Sequence, residues 1–334
     1  MDPQSNSRPY SPRSELLGSL RYIASSIDED GRFPYRLNPS TGEVNQDTYN
    51  VVRHAAVLEV LSDFNDVTFR RSASLASTYS DARTFPLPGH VGTAGICDSL
   101  GRFNLGATAL TAAAFARSGD LARRDALERL INFLHVSQLP DGSFWCRRLV
   151  NGCPDDHRSL YYEGEAAYAL GVIYELTGNE RLLPSFRSAV EFLCSKTLKA
   201  MERLDQHWTL KALRISVRCE VWKSEHFSDE IALALFDLSD YLRSHHATAS
   251  TGMLATKAEC LWALGDIFRM SRKDRRSGRC FNEARWLSTL LLERQYRTGP
   301  ARGGFCYSLT KPFVRIDVVQ HAATALAEQL SHSS

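Results

Sequence analysis

A short phrase that ends helical segments occurs three times in this chain of 334 residues. Its copies are Asp30-Gly31-Arg32-Phe33, Asp141-Gly142-Ser143-Phe144 and Gly303-Gly304-Phe305, with a looser version at residues 98–103. Glycine adopts the left-handed C-cap conformation without strain, so we predict that the glycine of each copy ends a helix. The Phe that follows then folds back onto the helices. Repeated units of this kind predict helical hairpins packed in series, and a series that closes into a ring leaves a central cavity.

Two segments of the chain repeat the same helical hairpin. Gly119 aligns with Gly178 and Phe133 with Phe192, and both pairs are 59 residues apart. Each unit has the pattern of a helix of small residues, a turn at Gly-Asp or Gly-Asn, and an amphipathic return helix. Such a unit cannot bury its own apolar faces and must stack on its neighbours. The Ala-rich first helices suit an inner ring, and the more charged return helices suit an outer one.

Apolar residues recur at helical spacing almost throughout and strand alternation is nearly absent, which predicts about twelve helices in all. Spread over residues 14–330, this array resembles an (α/α)6 toroid of the six-hairpin glycosidase-like superfamily. We therefore predict an all-α fold, with a single α/α toroid domain over residues 14–334 and a disordered, Ser- and Pro-rich lead-in at residues 1–13. The resemblance implies an oligosaccharide site at one mouth of the ring, where helix N-termini and loops present carboxylates to glycosidic or uronic-acid bonds.

A second resemblance concerns the middle copy of the phrase. Gln138-Leu-Pro-Asp-Gly-Ser-Phe-Trp145 is similar to the Gln/Trp repeat of terpene cyclases and their protein-prenyltransferase relatives, which are also α/α toroids. In those proteins the repeat is structural and joins successive hairpins. The chain lacks their Asp-x-Asp-Asp acid motif and a recognisable Asp, Cys and His zinc set. The repeat therefore supports the toroid and not terpene chemistry.

Composition and charge exclude several classes of partner. The formal net charge of +2 gives no case for nucleic acid or a membrane surface, and no apolar run reaches the roughly 18 residues of a membrane helix. The chain has no signal-peptide core, and its eight cysteines form no Cys-x-x-Cys pair. We therefore predict a cytoplasmic protein with reduced thiols and no metal site. Because there is no Gly-x-Gly-x-x-Gly or Walker loop, we expect no cofactor.

Polar residues at the start of one predicted inner helix form the first candidate cluster. Tyr49 and Arg53 share a face of the helix, and His54 follows them. A helix cap with a solvated first turn explains this pattern as well as a cavity mouth does. In the functional interpretation all three residues bind substrate, and Arg53 holds a carboxylate in a bidentate pair.

Two more clusters lie near the middle of the chain. Glu165 begins a helix of small apolar residues, where a carboxylate is costly to bury without a partner. We predict that Glu165 is catalytic, with an equally favoured alternative in which it only stabilises the helix start. Other residues of these two clusters are predicted to bind substrate: Tyr161, Tyr162, Asp205, His207 and Trp208. Trp208 would offer an apolar face to a sugar ring. A helix cap at Asp205 and a buried structural role for Trp208 are the alternatives.

The last predicted helix contains the strongest cluster. Asp317 and His321 lie four residues apart and share a face, so Asp317 can orient the imidazole for general acid–base catalysis. Arg315 and Gln320 lie beside them and are predicted to bind substrate. A capped helix with a hydrogen-bonded core histidine is the alternative.

These clusters support one leading hypothesis and two alternatives. The leading one is a carbohydrate-active enzyme, a glycoside hydrolase, lyase or epimerase, that acts on an oligosaccharide, another small molecule or a uronic-acid-containing sugar. Glu165 and Asp317 are then the general acid and base, and His321 relays protons. The first alternative is a non-catalytic toroid that binds a peptide or protein partner, and the second is a toroid of terpene- or peptide-cyclase type. The leading hypothesis requires the candidate residues to line one cavity.

Overall fold

The structure is a computed structural model that describes residues 11–47, 49–64, 66–197, 207–222, 235, 237–238, 250–271 and 274–333. Eleven α-helices account for more than half of these described residues. They are α1 (Pro12–Ser25), α2 (Val51–Asp63), α3 (Val67–Asp81), α4 (Leu105–Ser118), α5 (Arg124–Ser137), α6 (Leu160–Thr177), α7 (Leu183–Phe192), α8 (His207–Arg218), α9 (Thr251–Met270), α10 (Asp274–Leu292) and α11 (Ile316–Ser331). The helix expected between α8 and α9 falls largely outside the described residues.

Six of the helices form a closed inner ring. In the order α2, α4, α6, α8, α9 and α11 each packs against the next, and α11 packs back against α2. Small residues permit this double packing: residues 105–115 of α4, six of them Ala or Gly, are all buried. Among the described helices, α1, α3, α5, α7 and α10 lie outside the ring and bury one face each. The predicted division into Ala-rich inner and more polar outer helices is confirmed.

The predicted hairpin repeat is also confirmed. Gly119 ends α4 with φ 61° and Gly178 ends α6 with φ 63°, both in the left-handed region that glycine tolerates. In the turns that follow, the side chains of Asp120 and Asn179 cap two short 3-10 helices, Leu121–Arg123 and Glu180–Leu182. The two hairpins therefore use the same chemistry at the same offset.

The prediction that the glycines of the repeated phrase end helices is wrong. Gly31, Gly142 and Gly303 have φ values of 79°, 88° and 90°, but they lie in turns beyond the helix ends and are not C-caps. In each case an added Cβ would collide with a backbone carbonyl of a neighbouring outer helix. The oxygens concerned are those of Leu75 in α3, Ser188 in α7 and Gly18 in α1, at 2.4, 2.2 and 2.2 Å. The phrase therefore lets each turn lie directly against the next outer helix.

The aromatic residues of the phrase behave as predicted, and short strands accompany them. Phe33, Phe144 and Phe305 are almost wholly buried in the core. The described strands are β1 (Arg36–Leu37), β2 (Val44–Asn45), β3 (Thr84–Pro86), β4 (Ala94–Ile96), β5 (Phe103–Asn104), β6 (Arg147–Arg148), β7 (Cys306–Ser308) and β8 (Lys311–Arg315). They pair antiparallel in three small sheets, in the orders β2-β1-β8-β7, β3-β4 and β5-β6.

The first sheet joins the two ends of the chain. Arg36 in β1 pairs with Arg315 in β8, so the last strand lies beside the first hairpin immediately before α11 begins. At the other end, α1 starts at Pro12, so the last two residues of the predicted lead-in are helical; residues 1–10 lie outside the described part. Among the described residues, we find no helix with the length and apolar character needed to cross a membrane.

Candidate active site

The main candidate site is a cavity of about 660 Å³ at one mouth of the inner ring. Residues from the first two turns of α2, α6, α8, α9 and α11 line it, so the inner helices run parallel with their N-termini at this mouth. This is the location that the resemblance implied. Ten of the thirteen candidate residues line the cavity: Arg53, Tyr161, Tyr162, Glu165, His207, Trp208, Arg315, Asp317, Gln320 and His321.

Two of the remaining candidates lie outside the cavity. The Tyr49 hydroxyl is 2.5 Å from Nδ1 of His54, and His54 Nε2 donates to the carbonyl of Ala76 at 3.0 Å. Burial lowers the pKa of His54 to about 3, so its ring is neutral. Both residues therefore hold α2 against α3, and the prediction that they bind substrate is corrected. The third, Asp205, lies outside the described residues.

A buried carboxylate, Glu259 in α9, bonds His321 in the wall of the cavity. Its Oε1 lies 2.7 Å from Nδ1 of His321, and its Oε2 is ion-paired with the ammonium of Lys211. Burial alone would raise the pKa of Glu259, but Lys211 and His321 lower it to about 2. An ionised carboxylate can only accept, so His321 donates from Nδ1 and its Nε2 is the nitrogen available to a ligand.

A second imidazole lies against the first. The rings of His207 and His321 are edge to face, with centroids 4.9 Å apart. His207 is 3% exposed, and neither of its ring nitrogens has a hydrogen-bond partner among the described residues. Burial and then the neighbouring His321 lower the pKa of His207 well below its ordinary value, so its ring is neutral. The site thus has two imidazoles in contact, one hydrogen-bonded to a carboxylate and the other able to bond a ligand.

Two further buried polar groups line the same cavity without partners. Gln320 is 0% exposed, and neither end of its amide is hydrogen-bonded within the described residues. The Oε2 atom of Glu165 is also buried and unpartnered there, and burial raises the pKa of Glu165 well above its ordinary value. Burial therefore favours the protonated form of Glu165, which can donate a hydrogen bond. Buried polar groups without protein partners are the groups that a bound ligand would satisfy.

Two arginines hold Asp317 at the rim of the cavity. Arg315 bonds both carboxylate oxygens, at 2.6 and 2.7 Å, and Arg53 Nε lies 3.2 Å from Oδ2. The predicted pairing of Asp317 with His321 is wrong, because the carboxylate is already occupied and His321 bonds Glu259 instead. The arrangement also argues against Asp317 as a general acid or base, since guanidinium groups already bond both of its oxygens.

Sequence reasoning missed Glu259 and Lys211. A signal for Glu259 was present, because it is a carboxylate on the mostly apolar helix α9, the same criterion that selected Glu165. Lys211 lies four residues after His207 and so shares its helix face. What the sequence does not contain is the pairing itself, which joins three different inner helices.

The opposite mouth of the ring holds the best metal-like cluster among the described residues. Asp266, Glu328 and His332 each bring a donor atom within 4.8 Å of the others. Arg214 lies 3.4 Å from Asp266 and 2.6 Å from Glu328, and Arg269 lies 2.7 Å from Asp266. Since these arginines already balance the two carboxylates, the cluster is explained as an ion-pair network.

Comparisons with known proteins agree with the ring. No family model and no curated protein matches the sequence, but several solved structures share its fold. A D-mannose isomerase superposes with a TM-score of 0.73 at 12% identity, over 99% of this chain and 100% of that one. A cellobiose 2-epimerase from Spirochaeta thermophila gives 0.72 at 11%, over 96% of each chain. A GH76 α-1,6-mannanase from Salegentibacter gives 0.64 at 9%, over 96% of this chain and 99% of that one.

These similarities confirm the predicted fold class. The chain shares the (α/α)6 toroid fold of these structures over nearly its whole length. At 9–12% identity the similarity is one of fold, so the activity has to be argued from the residues in the cavity.

Proposed function

We propose that this protein is a carbohydrate-active enzyme that isomerises or epimerises a reducing sugar by moving a proton at the carbon next to the carbonyl. The proposal rests on one observation, the contact between His207 and His321, which both line the cavity. A neutral imidazole can remove the proton on the carbon next to the carbonyl and becomes an imidazolium. The imidazolium can return that proton to the neighbouring carbon, or to the other face of the same carbon once the enediol has turned. Both isomerisation and 2-epimerisation of an aldose need this chemistry.

The carboxylates in the cavity favour proton transfer over hydrolysis. A glycosidase of the usual kind uses two carboxyl groups, one as acid and one as base or nucleophile. Among the described residues around the cavity, Asp317 is held by two arginines and Glu259 by Lys211 and His321. This leaves Glu165 as a single uncommitted carboxyl group, so the sequence-based pair of Glu165 and Asp317 is not retained.

In this proposal each polar group has a distinct task. His321 acts through Nε2 as the general base, and Glu259 orients it. During isomerisation His321 returns the carbon-bound proton to the neighbouring carbon, and His207 takes the proton of the 2-hydroxyl and returns it to the oxygen on that carbon. Glu165, kept neutral by burial, donates a hydrogen bond to the sugar oxygen that becomes negatively charged as the C–H bond breaks. Gln320 bonds sugar hydroxyls with its free amide.

The similar structures support this choice among carbohydrate reactions. Two of them are named for aldose isomerisation and 2-epimerisation, which share the proposed proton transfer. The mannanase shares the fold at a lower TM-score, and hydrolysis is the competing reaction that the test has to separate.

Product analysis with a panel of sugars tests the proposal. Neutral and uronic reducing mono- and disaccharides are incubated with the protein and the products are separated by chromatography. We expect a ketose or a 2-epimer of unchanged mass, and a loss in kcat of about 100-fold or more in His321→Gln. His332→Gln, at the opposite mouth, is the matched control and keeps the activity of the unchanged protein. Shorter sugars or unsaturated uronates as the products would instead indicate a hydrolase or a lyase.

The proposal includes a cytoplasmic location. The eight cysteines all lie in the described part of the chain, where none forms a disulfide, and six of them are buried. Free thiols are the usual state in a reducing compartment. Fractionation of cells that express the protein, followed by immunoblotting, would test the location.

A further inference from the structure

We propose that Lys211 is a positioning residue: through its ion pair with Glu259 it fixes His321 with the ring proton on Nδ1 and with Nε2 available to the cavity. The catalytic consequence rests on the function proposed above. The position of the ring proton does not, because it follows from how Lys211, Glu259 and His321 are connected.

Lys211 reaches Glu259 from the far side of the ring. It is 5% exposed and lines a second cavity of about 440 Å³, at the C-terminal ends of the inner helices. Its ammonium lies 4.6 Å from the centre of the Trp208 ring and is ion-paired with Glu259 Oε2. The other oxygen of Glu259 accepts the hydrogen bond from His321 Nδ1. The three side chains thus form a continuous buried chain from one cavity to the other.

Charge balance explains why the lysine is needed. The side chain of Glu259 is 0% exposed, and an ionised carboxylate that deep requires a positive partner. Lys211 supplies that charge, so the ion pair is neutral as a whole. Without Lys211, Glu259 would become protonated and donate a hydrogen bond to Nδ1 of His321. The ring proton of His321 would then move from Nδ1 to Nε2.

Other charged groups near His321 leave this balance intact. The neighbouring helices contribute His207 and Lys211 from α8, Glu165 from α6, Glu259 from α9 and Arg53 from α2, and the strand before α11 contributes Arg315. His207 and Glu165 are neutral because of their burial. The charge of Asp317, on the same helix as His321, is taken up by the two arginines. Glu259 and Lys211 are therefore the charges that decide the state of His321.

The first test uses the unchanged protein and needs no substrate. ¹⁵N-histidine NMR of the full chain distinguishes imidazolium and the two neutral tautomers, and the signals of His321 are assigned by their loss in His321→Gln. We expect the neutral form of His321 to carry its proton on Nδ1. A neutral form with the proton on Nε2 overturns the proposal.

The second test removes the lysine charge. In Lys211→Met we expect the Nε2–H tautomer, which the same spectra show. Arg214→Met is the matched control, because Arg214 is on the same helix and is ion-paired in the second cavity but not with Glu259. In the double variant Lys211→Met/Glu259→Gln an uncharged side chain replaces each member of the ion pair. The amide oxygen can again accept from Nδ1, so this variant should restore the tautomer of His321 seen in the unchanged protein.

The outcomes separate this inference from the proposed function. If Lys211→Met does not fold, Lys211→Gln is used, with the same expected change. Identical spectra of His321 in the lysine variant and in Arg214→Met overturn the role of Lys211, whatever the enzyme does. A changed state of His321 without proton exchange into any sugar leaves the inference standing and refutes the proposed function.

Discussion

At the scale of single residues, the site is marked by polar groups that the protein buries without satisfying. His207, Gln320 and Glu165 each present buried, unpartnered atoms to one cavity within the described chain. Leaving such a group unpaired costs about 1–3 kcal/mol, so three in one place indicate that a ligand completes them. The same rule explains Tyr49 and His54, whose atoms satisfy each other and the backbone, and which therefore have a structural role.

Replacing the buried acid Glu163 by its amide should make the free energy of unfolding less dependent on pH. Burial raises the pKa of Glu163 from 4.5 to about 7, so the folded state holds a proton that the unfolded chain releases. The contribution of Glu163 to stability is then complete below pH 4.5 and declines as the pH rises through 7. Between pH 4 and 8 the free energy of unfolding of the unchanged protein should therefore fall by about 1–3 kcal/mol more than that of Glu163→Gln, as measured by urea titration at each pH.

The control for this prediction is Glu43→Gln, at an exposed position. Its stability curve should follow that of the unchanged protein. Parallel curves for Glu163→Gln and the unchanged protein would show that Glu163 is ionised in the folded state.

Asp317 should behave as a structural anchor for the cavity rim. In Asp317→Asn both arginines lose a charged partner, and we expect a loss in the free energy of unfolding of about 1–3 kcal/mol. Turnover should fall mainly through KM, because the rim binds substrate and does not move the proton. A stable variant with a kcat reduced about 100-fold would instead restore Asp317 as a general acid or base.

At the scale of elements, the approach of α4 to α6 positions Glu165. Gly106 lies in the first turn of α4, and a Cβ there would fall 1.9 Å from Oε2 of Glu165 and 2.8 Å from the ring of Tyr162. The glycine is therefore required by packing between two inner helices and not by its backbone angles. The sequence predicted both helices and Glu165, but this contact joins residues 59 positions apart and depends on how closely the helices pack.

Gly106→Ala should disturb both packing and site. We expect a loss of about 1–3 kcal/mol in the free energy of unfolding from overpacking, together with reduced activity because Glu165 is displaced. Gly278→Ala in α10 is the matched control, since nothing lies within 4 Å of an added Cβ there. That change should raise the stability by about 0.5–1 kcal/mol, because alanine favours the helix. Equal effects of the two substitutions on thermal unfolding would contradict the account.

At the scale of the whole molecule, two glutamines join successive outer helices. Gln138, after α5, donates to the carbonyl of Ser185 in α7 at 2.9 Å. Gln295, after α10, donates at 2.9–3.0 Å to the carbonyls of Glu15 and Gly303 and to the hydroxyl of Ser19. The second set of bonds ties the last hairpin to α1, the first helix, and so closes the outer layer of the ring.

Gln295→Ala should therefore weaken the closure of the ring. We expect a loss of about 2–3 kcal/mol in the free energy of unfolding, because buried acceptors lose their donor. Amide hydrogen exchange should accelerate in α1 more than in α5. Gln138→Ala, which removes fewer bonds and leaves both chain ends joined, should cost about 1 kcal/mol and leave exchange in α1 unchanged. Equal exchange in α1 for the two variants would refute this role of Gln295.

The sequence was informative about the ring and less so about its chemistry. Helical periodicity, the 59-residue repeat and the Gly-x-Phe phrase predicted stacked hairpins because each depends on local spacing along the chain. Polar residues on apolar helices identified ten of the residues around the cavity for the same reason. The partners of His321 and Asp317 were not predictable, because both are set by helices that meet only when the ring closes.

The central claim is that the cavity moves a proton on a sugar through His207 and His321. The most direct measurement is the exchange of the C2 hydrogen of a reducing sugar with solvent deuterium, followed by ¹H NMR in D₂O. We predict that the C2 signal of a substrate sugar disappears with the unchanged protein and persists with His321→Gln. A sugar that is converted or cleaved while it keeps its C2 hydrogen, or exchange that continues in His321→Gln, would contradict the account.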